Sequence, residues 1–113
     1  MQRSAIARYQ PLGLNTTIKI LPEYLKEAGY SNHIVGKWHL GYCHPDYLPT
    51  NRGFDTYLGQ WSHNVDYYYR DTSPSSSRFL KQYNKDKTGY DWHENKKTSK
   101  ENFGRFSTDV LTE

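Results

Sequence analysis

Leu21-Pro22-Glu23-Tyr24-Leu25-Lys26-Glu27-Ala28-Gly29-Tyr30-Ser31-Asn32-His33-Ile34-Val35-Gly36-Lys37-Trp38-His39-Leu40-Gly41 is the stretch whose reading decides the fold. Ile18, Leu21, Leu25 and Ala28 recur with the helical period and mark one apolar face. Thr16 or Thr17 is placed to cap the start, and Pro22 fits a first turn, where its missing N–H costs nothing. Gly29 stands where a left-handed residue ends a helix. A short amphipathic helix is therefore expected over Leu21 to Ala28. The β-branched pair Ile34-Val35 inside Asn32 to Trp38 reads as a short buried strand. Helix, glycine turn and apolar strand form an α/β unit that needs a larger sheet to pack into.

Outward from this unit the apolar residues thin quickly. Pro45, Pro49 and Gly53 break the chain before the compact patch Phe54-Asp55-Thr56-Tyr57-Leu58-Gly59. Asp66-Tyr67-Tyr68-Tyr69-Arg70 is aromatic, and Ser73-Pro74-Ser75-Ser76-Ser77 reads as a linker-like break. Lys81 to Glu101 mixes lysines with acids and shows neither period, so 72–102 is expected to be a solvated polar insertion. Phe106 to Glu113 reads as the start of a further helix over 103–113, with Ser107 or Thr108 as cap.

Composition sets bounds around this pattern. The chain has 113 residues, enough for one small domain or part of a larger one. Leu, Ile, Val and Phe supply 20 of them, below the roughly 20% at which disorder becomes an option. The net charge is only +3 and eleven residues are Tyr, which argues against disorder. A mean hydropathy of −1.01 goes with the lack of any apolar run of about 18 residues, so no transmembrane helix is expected. One cysteine, Cys43, excludes an internal disulfide framework and a cysteine-based zinc finger. The positive charge forms no concentrated stripe, so nucleic acid is not an expected partner. Met1 to Gln10 lacks the apolar stretch of a secretory leader. With few aliphatic residues beyond Ser62, an internal or N-terminally truncated piece of a larger domain is expected, marginally stable alone.

The chemistry gathers at Gly36 to Gly41. In an extended backbone Lys37 and His39 project to one face and Trp38 to the other. A cation and an imidazole side by side suit a small oxyanion: the ammonium balances charge and the imidazole donates or shuttles a proton. The flanking glycines permit a tight turn and close approach of a ligand. The competing reading is a strand-end lysine beside an ordinarily hydrogen-bonded histidine.

Gly29 to Gly41 resembles the second signature of the type I sulfatases. Leu21 to Ala28 before it and Pro49-Thr50-Asn51-Arg52-Gly53-Phe54-Asp55-Thr56-Tyr57-Leu58-Gly59 after it resemble the arylsulfatase B-like (N-acetylgalactosamine-4-sulfatase) branch. Asp66-Tyr67-Tyr68 and Ser107 to Glu113 fit the same branch. The likeness is best over 14–71 and returns near Phe103, so 1–113 reads as a partial sulfatase catalytic domain. It implies an α/β fold of the alkaline-phosphatase-like kind, a mixed sheet between helices. It also implies hydrolysis of sulfate esters, sulfated glycosaminoglycans or aryl sulfates among them, in a lysosomal or secreted protein. Such enzymes use a formylglycine nucleophile, made from a Cys-x-Pro-x-Arg motif, beside a calcium ion (Ca2+). By resemblance Lys37 contacts the sulfate and the formylglycine, and His39 hydrogen-bonds a formylglycine hydroxyl and helps break down the covalent intermediate.

The departures are specific. Cys43-His44-Pro45 has Tyr47 where the motif's arginine belongs and follows the second signature, so it reads as an ordinary loop thiol. Arg3 to Tyr9 resembles a shortened form of the stretch after the nucleophile, and no role is carried onto Arg3. The acidic calcium ligands are expected outside this chain, so no metal ligand is assigned within it. His33, His39 and His44 match no standard zinc spacing. Asn15-Thr16-Thr17 is an N-glycosylation sequon. The Tyr67-Tyr68-Tyr69 cluster is expected to pack beneath a loop rather than stack on sugars, and Arg52 either to contact an acidic substrate or to pair with Asp55 within a turn. Three functions compete: part of a calcium- and formylglycine-dependent arylsulfatase, an inactive relative that only binds sulfated sugars, and an unrelated aromatic-rich binding module.

Overall fold

The computed structural model describes Ile6 and residues 10–62, 65–72 and 89–113. The Arg3 to Tyr9 stretch apart from Ile6, the Ser73 to Ser77 break and the lysine-rich run up to Thr88 lie outside the described residues. Helix α1 spans Leu21–Glu27, and strand β1 spans His33–Val35. Two 3₁₀ turns, Pro45–Tyr47 and Pro49–Asn51, follow. Strands β2 (Thr56–Gly59), β3 (His93–Glu94) and β4 (Lys97–Thr98) precede helix α2 (Ser107–Thr112).

Helix α1 ends as its glycine requires. Gly29 takes φ +88°, its N–H donates to Lys26 and the Tyr30 N–H donates to Leu25, which is a full Schellman closure. Its start differs from the expected threonine cap. The residue before the helix is Ile20, and Glu23 reaches back so that its Oε2 accepts from the Ile20 N–H at 2.7 Å. Thr17 is occupied elsewhere: its N–H and hydroxyl donate to Asn15 Oδ1 at 2.9 and 3.0 Å. The apolar face read from the period is open to solvent, with Ile18 and Leu21 exposed and Pro22 the buried residue of the helix. Polar ties hold α1 instead.

The sheet is mixed and ordered β1-β2-β3-β4, as the α/β reading expects. β1 pairs with β2 in parallel, Ile34 opposite Tyr57, while the other neighbours are antiparallel. A parallel pair needs a crossover of a dozen or more residues, and 36–55 provides it. Prolines at 45 and 49 open its two 3₁₀ turns, where a fixed φ and a missing N–H do no harm. β1 is an edge among the described strands rather than buried, and Val35 is exposed.

The expected polar insertion behaves otherwise where it is described. From Gly89 the chain returns to the sheet as the β3–β4 hairpin, and Asn95 takes φ +54° at its two-residue turn. Asparagine tolerates that conformation better than most residues. Trp92, just before β3, is 1% exposed. It joins Trp38, Leu48, Tyr57 and Val110 as the buried apolar residues. The aromatic residue thus outweighed the surrounding lysines, because burying one large ring offsets much of the cost of ordering a short hairpin.

Polar groups supply the remaining order. Arg52 is 2% exposed and does not pair with Asp55. Its Nε donates to Glu23 Oε1 at 3.2 Å, and its terminal nitrogens donate to the carbonyls of Leu14 (3.2 Å) and Ile18 (2.7 Å). Asp55 instead takes Lys26 at 2.8 Å and the Asn32 N–H at 2.8 Å. Ser107 does not cap α2 either; it lies inside the helix, and its N–H donates to the Tyr67 carbonyl at 2.8 Å. Gly59 allows the closest backbone approach, since a Cβ there would meet the Gly36 carbonyl oxygen at 2.0 Å.

Candidate active site

The Gly36–Gly41 loop is held from two sides. On one, the N–H groups of Gly36, Trp38 and His39 donate to the carbonyls of Leu58, Gln60 and Trp61 at 2.8, 3.0 and 3.0 Å. On the other, Leu14 N–H donates to Leu40 at 2.8 Å and Gly41 bridges Gly13, where a Cβ on Gly41 would lie 2.5 Å from the Gly13 Cα. Trp38 is the anchor between them. Its ring is buried edge-on to Phe54, and its Nε1 donates to the carbonyls of Tyr47 at 2.8 Å and Gly41 at 3.1 Å.

Lys37 and His39 leave this loop differently. Regular strand ends at Val35, Gly36 takes φ +115° and His39 φ +63°, so the alternation argument does not run unbroken to His39. Lys37 is exposed, and none of the described residues pairs with its ammonium. His39 is half-buried and lines a cavity of about 380 Å³ with Leu14, Asn15 and Ile18; Lys37 is not part of that lining. The His39 Nε2 donates to the Ile6 carbonyl at 3.0 Å, which leaves the lone pair of the neutral ring on Nδ1. The loop therefore presents a solvated cation and, two residues on, an oriented imidazole.

Beneath the loop lies a second polar cluster. Asp91 is buried, and its Oδ1 and Oδ2 accept from the N–H groups of Trp61 and Ser62 at 3.0 and 2.8 Å. His93 Nε2 lies 3.1 Å from Asp91 Oδ1, and the His93 ring stacks flat on Trp61 with centroids 3.5 Å apart. Burial pushes the Asp91 carboxyl up, but hydrogen bonds from His93, Ser62 and Trp61 outweigh it and hold the group below the usual carboxylate range. Burial likewise pushes the Tyr57 phenol up, with the Asp91 charge adding to it. Neither Asp91 nor His93 stands out in the sequence, because both lie in a tract dominated by lysines. The aromatic run Tyr90-Asp91-Trp92-His93 is the signal that marks them.

Other sequence candidates do not assemble. His33 Nδ1 meets Thr56 Oγ1 at 2.7 Å, and His44 Nδ1 accepts from the Asp46 N–H at 3.4 Å, so the three histidines have separate partners. Among the described residues no group of three His, Cys, Asp or Glu is placed to hold a metal ion. The calcium that the resemblance implies therefore has no fitting donor set among these described residues. Cys43 is exposed and free. Tyr67 and Tyr68 pack on Phe106 and Tyr69 on Phe103, yet all three keep about half their surface in solvent rather than lying beneath a loop. Among the described residues no helix is long and apolar enough to cross a membrane.

The Sulfatase family model matches residues 4–111. Arylsulfatase J of Mus musculus is 40% identical over 116 residues, covering 100% of this chain and 18% of the relative. N-acetylgalactosamine-6-sulfatase of the same organism is 51% identical over 47 residues, 42% of this chain and 9% of the relative. The solved structure of Ps i-CgsB in complex with k-i-k-neocarrahexaose superposes with a TM-score of 0.69 at 27% identity, over 93% of this chain and 23% of that one. The chain thus spans less than a fifth of the length of these curated relatives. With the family model running over nearly its whole length, this chain belongs to the sulfatase family.

Proposed function

We propose that this chain supplies the lysine–histidine loop of a sulfuric ester hydrolase, acting on sulfate esters of the glycosaminoglycan or aryl class. The observation that carries the reading is the Gly36–Gly41 loop itself. It is fixed on both sides, with the Lys37 ammonium unpaired among the described residues and an oriented imidazole at His39 beside a cavity. Lys37 balances the negative charge of the sulfate oxygens, an electrostatic contribution that grows as water is excluded. His39 holds or moves a proton at Nδ1, with its ring direction set by the Ile6 carbonyl. The formylglycine and calcium that the resemblance implies would be supplied by residues other than those described, and Lys37 and His39 would act on a sulfate ester held beside them. The substrate class is supported by the names of the relatives, an arylsulfatase and an N-acetylgalactosamine-6-sulfatase, and by the k-i-k-neocarrahexaose in complex with the structural neighbour. The arylsulfatase B-like branch is part of the proposal, carried by the motifs at 49–59 and 107–113.

A segment exchange tests this. The 113-residue chain alone is expected to turn over no chromogenic aryl sulfate, because its one cysteine, Cys43, has Tyr47 at the position of the arginine in a Cys-x-Pro-x-Arg motif. Placed in mouse arylsulfatase J in exchange for the matching 116 residues, it is expected to give a hydrolase of aryl sulfates. A folded chimera that binds a sulfated sugar without turning over ester, beside an active parent, would contradict the enzymatic reading and favour a binding role.

The same reading places the protein in lysosomes or outside the cell, where Asn15 is a glycan acceptor. Asn15 is exposed, and the bonds it accepts from Thr17 hold the sequon in a tight local turn. Secretory expression should give a band that shifts on deglycosylation and is absent in Asn15→Gln; an unshifted band rejects this site.

A further inference from the structure

His39 is one of three described residues other than glycine with a positive φ. That conformation costs a side chain of this size about 1–2 kcal/mol and persists where the surroundings over-determine it. Its main chain is tied through the N–H donated to the Trp61 carbonyl at 3.0 Å. Trp61 is gripped in turn from the far side. Both oxygens of the buried Asp91 carboxylate are committed to the successive N–H groups of Trp61 and Ser62. His93 closes the back of the carboxylate at 3.1 Å and clamps the Trp61 ring by stacking.

We propose that Asp91 is a positioning residue for His39: it fixes the Trp61–Ser62 backbone from which the His39 amide hangs, and so sets where the imidazole stands at the cavity. The inference rests on the reading of His39 as an acid–base group. A carboxylate is needed because it accepts two charge-assisted bonds side by side. An amide of the same shape accepts one and turns N–H hydrogens toward the other donor.

The test uses the whole chain carried in the arylsulfatase J scaffold, with Asp91→Asn, His39→Ala and the double variant. Asp91→Asn is expected to lower kcat about tenfold or more with KM moved by less than about twofold. Added to His39→Ala, it should cause no further loss, since the group it positions is gone. Unchanged kcat in Asp91→Asn, or losses that multiply in the double variant, would overturn the proposal. If His39→Ala alone leaves kcat unchanged, the acid–base reading fails, and amide exchange judges the positioning separately. Asp91→Asn should then speed exchange at His39, Trp61 and Ser62 about tenfold while the Gly36 amide, bonded to Leu58, keeps its rate. A uniform change or none overturns it. Should Asp91→Asn not fold, His93→Gln keeps the Asp91 grip and is expected to keep slow exchange at His39; fast exchange there would put the determinant in the His93–Trp61 stack instead.

Discussion

Replacing Arg52 by alanine is expected to lower the stability of the fold by about 1.5–3 kcal/mol, the range for lost hydrogen bonds to a charged group, because the guanidinium is buried while its partner Glu23 is part-exposed. The guanidinium ties three residues of two pieces of chain: Glu23 in the first turn of α1 and the carbonyls of Leu14 and Ile18 in the segment before it. Without it, the Glu23 carboxylate keeps its bond from Ile20 but loses its countercharge, and two carbonyls lose donors. Burial pushes Glu23 up, yet the Ile20 N–H and Arg52 together hold its carboxyl below the usual range. A folded pKa below the unfolded one means that this part of the stability is present above the unfolded value, near 4.5. It is lost as pH falls through the depressed folded value. Few buried apolar residues stand behind this bracket, so the loss takes a large share of the roughly 5–15 kcal/mol that domains have in hand. Arg52→Lys keeps the charge without the fork and should fall between the two. Urea denaturation reads the difference, and a loss below about 1 kcal/mol for Arg52→Ala would place the bracket among ordinary surface pairs.

How much of this could be read in the sequence follows from the range of each interaction. The end of α1 was legible because a Schellman closure is decided within six residues, and Gly29 carries it. The start was not, because the Glu23 back-bond does the work that the sequence gives to Thr16 or Thr17. The β1 strand was legible from Ile34-Val35, while its position as an exposed edge depends on partners far away in the chain. Nearness in sequence points Arg52 to Asp55, yet each has its partner in α1, 29 residues away, in Glu23 and Lys26. The Asp91–His93–Trp61 cluster was hidden for the same reason: it joins residues 30 apart, and charge counting over a lysine-rich window averages away one buried tryptophan. Lys37 and His39 stood out because Gly36 and Gly41 frame them locally. Sequence spacing did not reveal that Gly36 and a left-handed His39 would separate a solvated ammonium from a cavity-lining imidazole.

The largest functional effect is expected at His39. An imidazole acting in proton transfer contributes about 10²–10⁴ in rate, and with alanine in its place none of the described residues lining the cavity carries a group able to move that proton. On the proposed reading Lys37→Ala removes a charge that would face the developing oxyanion, with an expected loss of about 10²–10³ in kcat. The two losses differ from a folding defect in one respect: the loop is held by its backbone and by Trp38, which neither substitution touches. Folded protein with its chemistry removed is therefore the expected state. The most direct measurement is kcat for a chromogenic aryl sulfate by the arylsulfatase J chimera and its His39→Ala variant, at matched thermal stability. A fall of about a hundredfold or more is the predicted result. Equal turnover by the two proteins would contradict the assignment of this loop to sulfate ester hydrolysis.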